Sequence, residues 1–160
     1  MVALAGREGL GYGVGLLEAL RETPVETHVV LTEPAEDALG AGAGAARALG
    51  DYVYALDNQA ARIASGSFLT RGMLVVPCDA GSVAAIALGL ASNLVYRAAD
   101  VTLKERRPLV LAVVPSALAT VDPEILERAR GAPGLVLVSL EGPRAEAVAL
   151  LLAGASVDAP

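Results

Sequence analysis

Gly72-Met-Leu-Val-Val-Pro-Cys78 runs straight into Asp79-Ala-Gly-Ser82, and the reading of this junction decides the fold. Met73–Val76 is a continuous apolar run with no in/out alternation. A strand of that kind is covered on both faces, as in a parallel sheet flanked by helices. Asp79 or Ser82 then offers a side-chain cap to the next helix. Working outward, Met1–Ala5, Thr27–Leu31, Tyr52–Leu56, Leu109–Val114 and Leu135–Val138 are further short apolar runs, most of them equally unpatterned. Helical stretches lie between them: Tyr12–Arg21, Pro34–Leu49, Val83–Leu90, Asn93–Arg106, Pro123–Arg130 and Arg144–Ala153. The order β-α-β-α-β-loop-β-α-α-β-α-β-α predicts an α/β fold, a doubly wound, flavodoxin-like or Rossmann-like parallel sheet with helices on both faces. Residues 1–160 read as a single domain, with no internal repeat and no linker.

Composition agrees. The chain has 160 residues, 54% hydrophobic and only 3% aromatic, with 17 glycines. Such a surplus of small aliphatics suits elements buried on both faces, burial in an oligomer, or both. Twelve basic against eighteen acidic residues give a net charge of −6, which argues against non-specific nucleic-acid binding. No apolar run approaches the roughly 20 residues that span a bilayer. Arg7 and Glu8 follow Met1 too closely for a signal-peptide core, so a cytoplasmic protein is expected. The lone Cys78 excludes an internal disulfide and a multi-cysteine zinc site, and no metal is expected.

Boundary signals locate the loops where ligands bind in such sheets. Thr32 can cap the second helix, with Pro34 near its first turn. The stretch Gly40-Ala-Gly-Ala-Gly-Ala-Ala-Arg47 should fray or break that helix. Gly6-Arg-Glu-Gly9-Leu-Gly11-Tyr-Gly13 follows the first strand and opens a helix. Backbone N–H groups at such a turn can cradle an anion, or the glycines serve a tight turn and close helix–sheet packing. Neither G-x-G-x-x-G nor the phosphate-loop motif G-x-x-x-x-G-K-[ST] is present.

Three blocks carry a resemblance: Ala64-Ser-Gly-Ser-Phe68, Gly72–Cys78, and Asn93-Leu-Val-Tyr-Arg97-Ala-Ala-Asp-Val-Thr-Leu-Lys104-Glu-Arg-Arg-Pro-Leu-Val-Leu111. They resemble the flavin prenyltransferases of the UbiX family, densely over Ala64–Leu111 and more loosely over Val2–Thr32. The same superfamily contains flavin-dependent cysteine decarboxylases. The resemblance implies FMN as cofactor. Its contacts would come from the glycine loop (Gly6, Arg7, Glu8), from Thr32, from the turn Asp79, Ala80, Gly81 and Ser82, and from Arg97. Lys104, the only lysine of the chain, would contact a substrate phosphate. Its other reading is that Lys104, Arg106 and Arg107 complement a helix C-terminus.

Against that pattern, the family's loop serine falls at Glu8, and the serine after P-C falls at Asp79. Like charges 4 Å apart repel by about 1 kcal/mol in water and about 4 kcal/mol at an effective dielectric of 20. Either these carboxylates face the ligand, with Arg7 offsetting part of the charge, or Glu8 points to solvent and Asp79 caps its helix. The family's arginine–glutamate pair after the P-L-V-L strand becomes Val114-Pro115, and a second family glutamate falls near Gly42. No F-Y-x-x-P segment precedes Pro160, so the substrate-closing C-terminal segment is expected to be lacking. Catalytic residues are therefore unassigned beyond the retained Arg97 and Lys104.

His28, inside the second strand, reads as a packed histidine, and Cys78, with no base next to it, as an inert thiol. Three functions compete. The first is an FMN-binding UbiX-like flavoprotein with most prenyl-transfer residues replaced. The second is a flavin-free structural or partner subunit. The third, a cysteine decarboxylase, lacks its helix histidine here. The resemblance further implies a homo-oligomer, trimer or dodecamer, with flavin sites at subunit contacts. A UbiD-type decarboxylase or a paralogue that completes the site would be its partner.

Overall fold

A computed structural model of the chain describes residues 1–141; the helix expected over Arg144–Ala153 and any C-terminal segment lie outside them. The elements follow as β1 (Val2–Leu4), α1 (Leu10–Arg21), β2 (His28–Leu31), α2 (Glu33–Leu39), α3 (Ala43–Arg47) and β3 (Tyr52–Tyr54). The second half adds β4 (Met73–Cys78), α4 (Ala80–Ala87), α5 (Leu94–Lys104), β5 (Leu109–Val113), α6 (Pro115–Leu118), α7 (Pro123–Gly131) and β6 (Leu135–Ser139). The strands form one parallel sheet in the order β3-β2-β1-β4-β5-β6. Ala3 sits opposite Val30 on one side and Val75 on the other. The chain therefore winds outward in opposite directions from the β1–β4 boundary. That boundary is the topological switch point, and a crevice opens there beyond the carboxyl ends of the strands.

The unpatterned strands are explained by two cores. Val2, Leu4, Val29, Leu31, Leu74 and Val76 pack on one face with Leu16, Leu17 and Leu20 of α1. Ala3, Val30, Met73, Val75, Leu109 and Leu111 pack on the other with Val83 and Ile86 of α4 and Val95, Ala98 and Ala99 of α5. Successive strand residues point to opposite faces, so both parities must be apolar when both faces are covered. β3 is the exception. One of the two edge strands, it is largely exposed, and it ends at Tyr54 rather than at Leu56.

Differences from the expected helices have local causes. The stretch Pro34–Leu49 is interrupted at Gly40, whose φ of 52° ends α2 before a 3-10 turn and the short α3. Its Gly/Ala sequence supplies little to hold a continuous helix. α4 begins three residues earlier than the expected Val83, because the Asp79 carboxylate accepts the Ser82 N–H at 2.6 Å and caps it there. Thr32 occupies the N-cap of α2 through its backbone alone. Its carbonyl accepts from Glu36 N at 3.0 Å, while its hydroxyl lies 3.4 Å from Leu4 O. α6 was not expected at all.

Candidate functional site

Two loops meet at the switch point. The Pro77 carbonyl accepts from both Ala5 N and Gly6 N at 3.0 Å, tying the loop after β1 to the end of β4. Gly6 is close to this seam: a Cβ there would lie 3.4 Å from the Pro77 side chain and 3.5 Å from Asp79 N. Gly9, at φ +80°, turns the chain into α1, and a Cβ there would stand 2.8 Å from a Val114 methyl. Glycine is required at both counts, since β-carbon-bearing residues rarely adopt that φ.

Around this seam lies a cleft of about 590 Å³. Gly6, Arg7 and Glu8 line it from the β1 loop, Cys78, Asp79, Ala80 and Gly81 from the β4 turn. Pro34, Val114, Ser116, Ala117 and Thr120 complete it. Six of the ten residues named from sequence are thus brought together. Thr32 and Ser82 are buried rather than lining, and the Ser82 hydroxyl lies 3.2 Å from the Tyr96 hydroxyl. Arg97 and Lys104 are not in the cleft. They sit with Asp100 on an exposed face of α5, where i, i+3 and i+4 spacing makes them neighbours. Lys104 Nζ is 2.7 Å from Asp100 Oδ2 and Arg97 Nη1 is 3.9 Å from it.

Sequence reading missed the wall made by Ser116, Ala117 and Thr120. The signal for it was present: Pro115 directly after an apolar strand is a helix-opening pattern, with proline at its first position. The two carboxylates of the cleft behave differently. Asp79 is engaged in its cap. Glu8 Oε2 accepts from Ser116 Oγ at 2.6 Å, across 108 residues of chain. Arg7 pairs with Asp37, 3.5 Å away, rather than bonding Glu8. Burial, and then the nearby Asp79 charge, push the Cys78 thiol well above its ordinary value, which makes it a neutral lining group. Among residues 1–141 no cluster of His, Cys, Asp or Glu could hold a metal ion, and no helix is long and apolar enough to cross a membrane.

His28 lies at the opposite, amino end of the sheet. It is buried, stacks on Tyr52 at 4.9 Å and Tyr54, meets Phe68 edge-on, and contacts Tyr54 Oη and Glu26 Oε1 at 2.9 Å. Burial lowers its pKa below the ordinary 6.5, helped by the charges of Arg62 and the amino terminus and opposed by Glu26. The folded state therefore favours neutral His28. Its contribution to stability is complete above 6.5 and is lost as pH falls below that value toward the depressed folded pKa. Thermal unfolding measured from about pH 7.5 down to about 5 should show Tm falling over the acidic half, with the slope reduced in His28→Gln. An unchanged slope in the variant would assign the effect to the buried amino terminus, whose pKa burial lowers to about 6 and which loses stability over the same range, or to carboxylates.

A flavin tests well against the size and donors of the cleft. Pockets for ligands of this size hold about 300–1,000 Å³. Ala80 and Gly81, in the first turn of α4, have N–H groups without intrahelical acceptors. A phosphate, however, meets the charges of Glu8 and Asp79.

Comparisons with known proteins establish the family. A family model described as "Flavoprotein" matches residues 1–124. The flavin prenyltransferase UbiX of Neisseria meningitidis is 47% identical over 128 residues, spanning 76% of this chain and 68% of the relative. The crystal structure of AnUbiX in complex with FMN and dimethylallyl pyrophosphate superposes with a TM-score of 0.83 at 33% identity, covering 96% of this chain and 90% of that one. A dodecameric FMN-dependent UbiX-like decarboxylase from Escherichia coli O157:H7 gives 0.81 at 35% identity, covering 99% and 96%. With a parallel sheet whose switch-point cleft is lined by the residues of its β1 loop and β4 turn, the chain belongs to the flavoprotein family and, within it, to the UbiX-like flavin prenyltransferase group.

Proposed function

We propose that this chain binds FMN in the switch-point cleft and does not, on its own, carry out prenyl transfer. The observation that carries the first part is the convergence of the glycine loop and the capped α4 turn around one cleft of about 590 Å³. Gly6, Arg7 and Glu8 would hold one side of the cofactor and Asp79, Ala80 and Gly81 the other, with Thr32 and Ser82 buried behind. FMN supplies a ring that accepts and returns electrons. The chain's own residues position it, and α6 shields it from water on one side. Similarity to the FMN-bound relative supports the same placement.

The second part rests on what lines the wall after β5. Val114 and Pro115 offer neither a proton donor nor a phosphate clamp, and both functions need side chains at hydrogen-bond distance. Arg97 and Lys104 face away from their own chain's cleft, so they reach a ligand only in a neighbouring copy. The reading therefore includes a homo-oligomer, trimer or dodecamer, and the dodecameric relative supports it. Glu8 and Asp79 favour a second reading, a flavin-free partner subunit, since both place negative charge where an anion would sit.

The absorbance spectrum of the purified protein, before and after FMN addition and desalting, decides between these readings. Retained flavin absorbance near one equivalent per chain is expected, and a colourless protein after loading sinks the proposal. Incubation with reduced FMN and dimethylallyl phosphate should give no prenylated flavin; turnover by the protein alone rejects the second part.

A further inference from the structure

We propose that Glu8 sets the charge this cleft accepts, so that the site discriminates against a phosphate-bearing flavin relative to the same flavin without phosphate. The inference rests on the flavin reading above and deepens it. Three observations converge on it. Glu8 lines the cleft, where the Ser116 hydroxyl, from the first turn of α6, donates to Oε2 at 2.6 Å and no described residue bonds Oε1. Among the described lining residues the one cation, Arg7, pairs with Asp37 on α2, with 3.5 Å between Nη2 and Oδ2. The second lining carboxylate, Asp79, has Oδ1 occupied by Ser82 N at 2.6 Å and so takes one of the helix donors that an anion would use.

The result is the N-terminus of α4, whose favourable field for anions is offset by two carboxylates. Of the two, Asp79 is part of the fold through its cap. Glu8 holds no helix. Its only described bond is to the exposed Ser116, so its charge can be removed without unmaking an element. Repulsion between exposed charges is modest in water and screened by salt, with a Debye length of about 10 Å at 0.1 M and about 3 Å at 1 M. A gate of this type acts on the phosphate and not on the ring.

Riboflavin and FMN differ only in the phosphate, which makes them the two probes. Flavin fluorescence quenching on the full chain gives both affinities. Glu8→Gln keeps a hydrogen-bonding partner for Ser116 and removes the charge. It should tighten FMN by about tenfold, with riboflavin changed less than about twofold, and the gain should shrink in 1 M salt. Asp37→Asn, which releases Arg7 toward the cleft without touching Glu8, should move the FMN-to-riboflavin ratio in the same direction. Equal shifts for both flavins in Glu8→Gln, or a ratio indifferent to salt and to Asp37→Asn, overturn the charge gate while leaving flavin binding intact. Failure of wild type and both variants to bind either flavin overturns the flavin reading and the gate with it.

Discussion

Gly13→Val is expected to abolish cooperative folding, and Gly13→Ala to lower stability by about 2–3 kcal/mol, the upper part of the usual range for overpacking. Gly13 is a buried position of α1, the helix that covers the β1–β4 boundary. A Cβ at this position would run into the Leu4 side chain and, worse, into the backbone carbonyl of Val76. A side-chain end can rotate away, but a carbonyl in the central strand of a six-stranded sheet cannot. The helix must therefore lift from the sheet, and Leu16, Leu17 and Leu20 lose their packing with it. Gly11 and Gly15, on the same helix, have open space around the corresponding position. Gly11→Ala and Gly15→Ala should be neutral or stabilising, because glycine costs a helix about 1 kcal/mol relative to alanine. Denaturant melts of the three alanine variants check the contrast, and equal effects at all three positions would refute it.

The same contrast shows what was legible in the sequence. Gly6, Gly9, Gly11 and Gly13 are indistinguishable as letters, and the glycine loop could be read as an anion cradle or as a packing device. The structure divides the roles: Gly6 and Gly9 shape the loop, and Gly13 admits the sheet. The parallel sheet was legible because double burial forces apolar residues at both parities of β4 and β5, a signal local to each strand. The capped turn was legible in part: the sequence left the cap to Asp79 or Ser82, and the structure gives it to Asp79, three residues from its donor. The Glu8–Ser116 bond was not, since it joins residues 108 positions apart on two loops. α6 left only its proline start in the sequence, because its four residues are too few to show a helical period. Arg97 and Lys104 were found by resemblance, and the fold places them on a face that no local pattern assigns to a site.

Arg107→Ala should cost about 2–4 kcal/mol, which for a domain of this size lowers Tm by roughly 5–15 °C. Two of the sequence blocks that carry the resemblance meet at this residue. The Arg107 guanidinium donates to Phe68 O at 2.8 Å through Nη1 and to Gly66 O at 2.7 Å through Nη2. It thus holds the Ser65–Phe68 loop, which lies outside any strand or helix. Its side chain is only 13% exposed, so the two carbonyls gain little compensating water when it is removed. The loop in turn seats Phe68, whose ring packs edge-on against His28 and under the Arg62 guanidinium. Losing the clamp therefore loosens the aromatic cluster at the amino end of the sheet as well. Arg107→Lys separates geometry from charge: an ammonium keeps the charge but cannot span two carbonyls as a planar fork does. It should recover less than half of the loss. Full recovery by lysine would mean that charge near the end of α5, rather than the paired hydrogen bonds, is what Arg107 supplies. The neighbouring Arg106, exposed at φ 55° after the same helix, makes no such bonds, and Arg106→Gly should be neutral or stabilising.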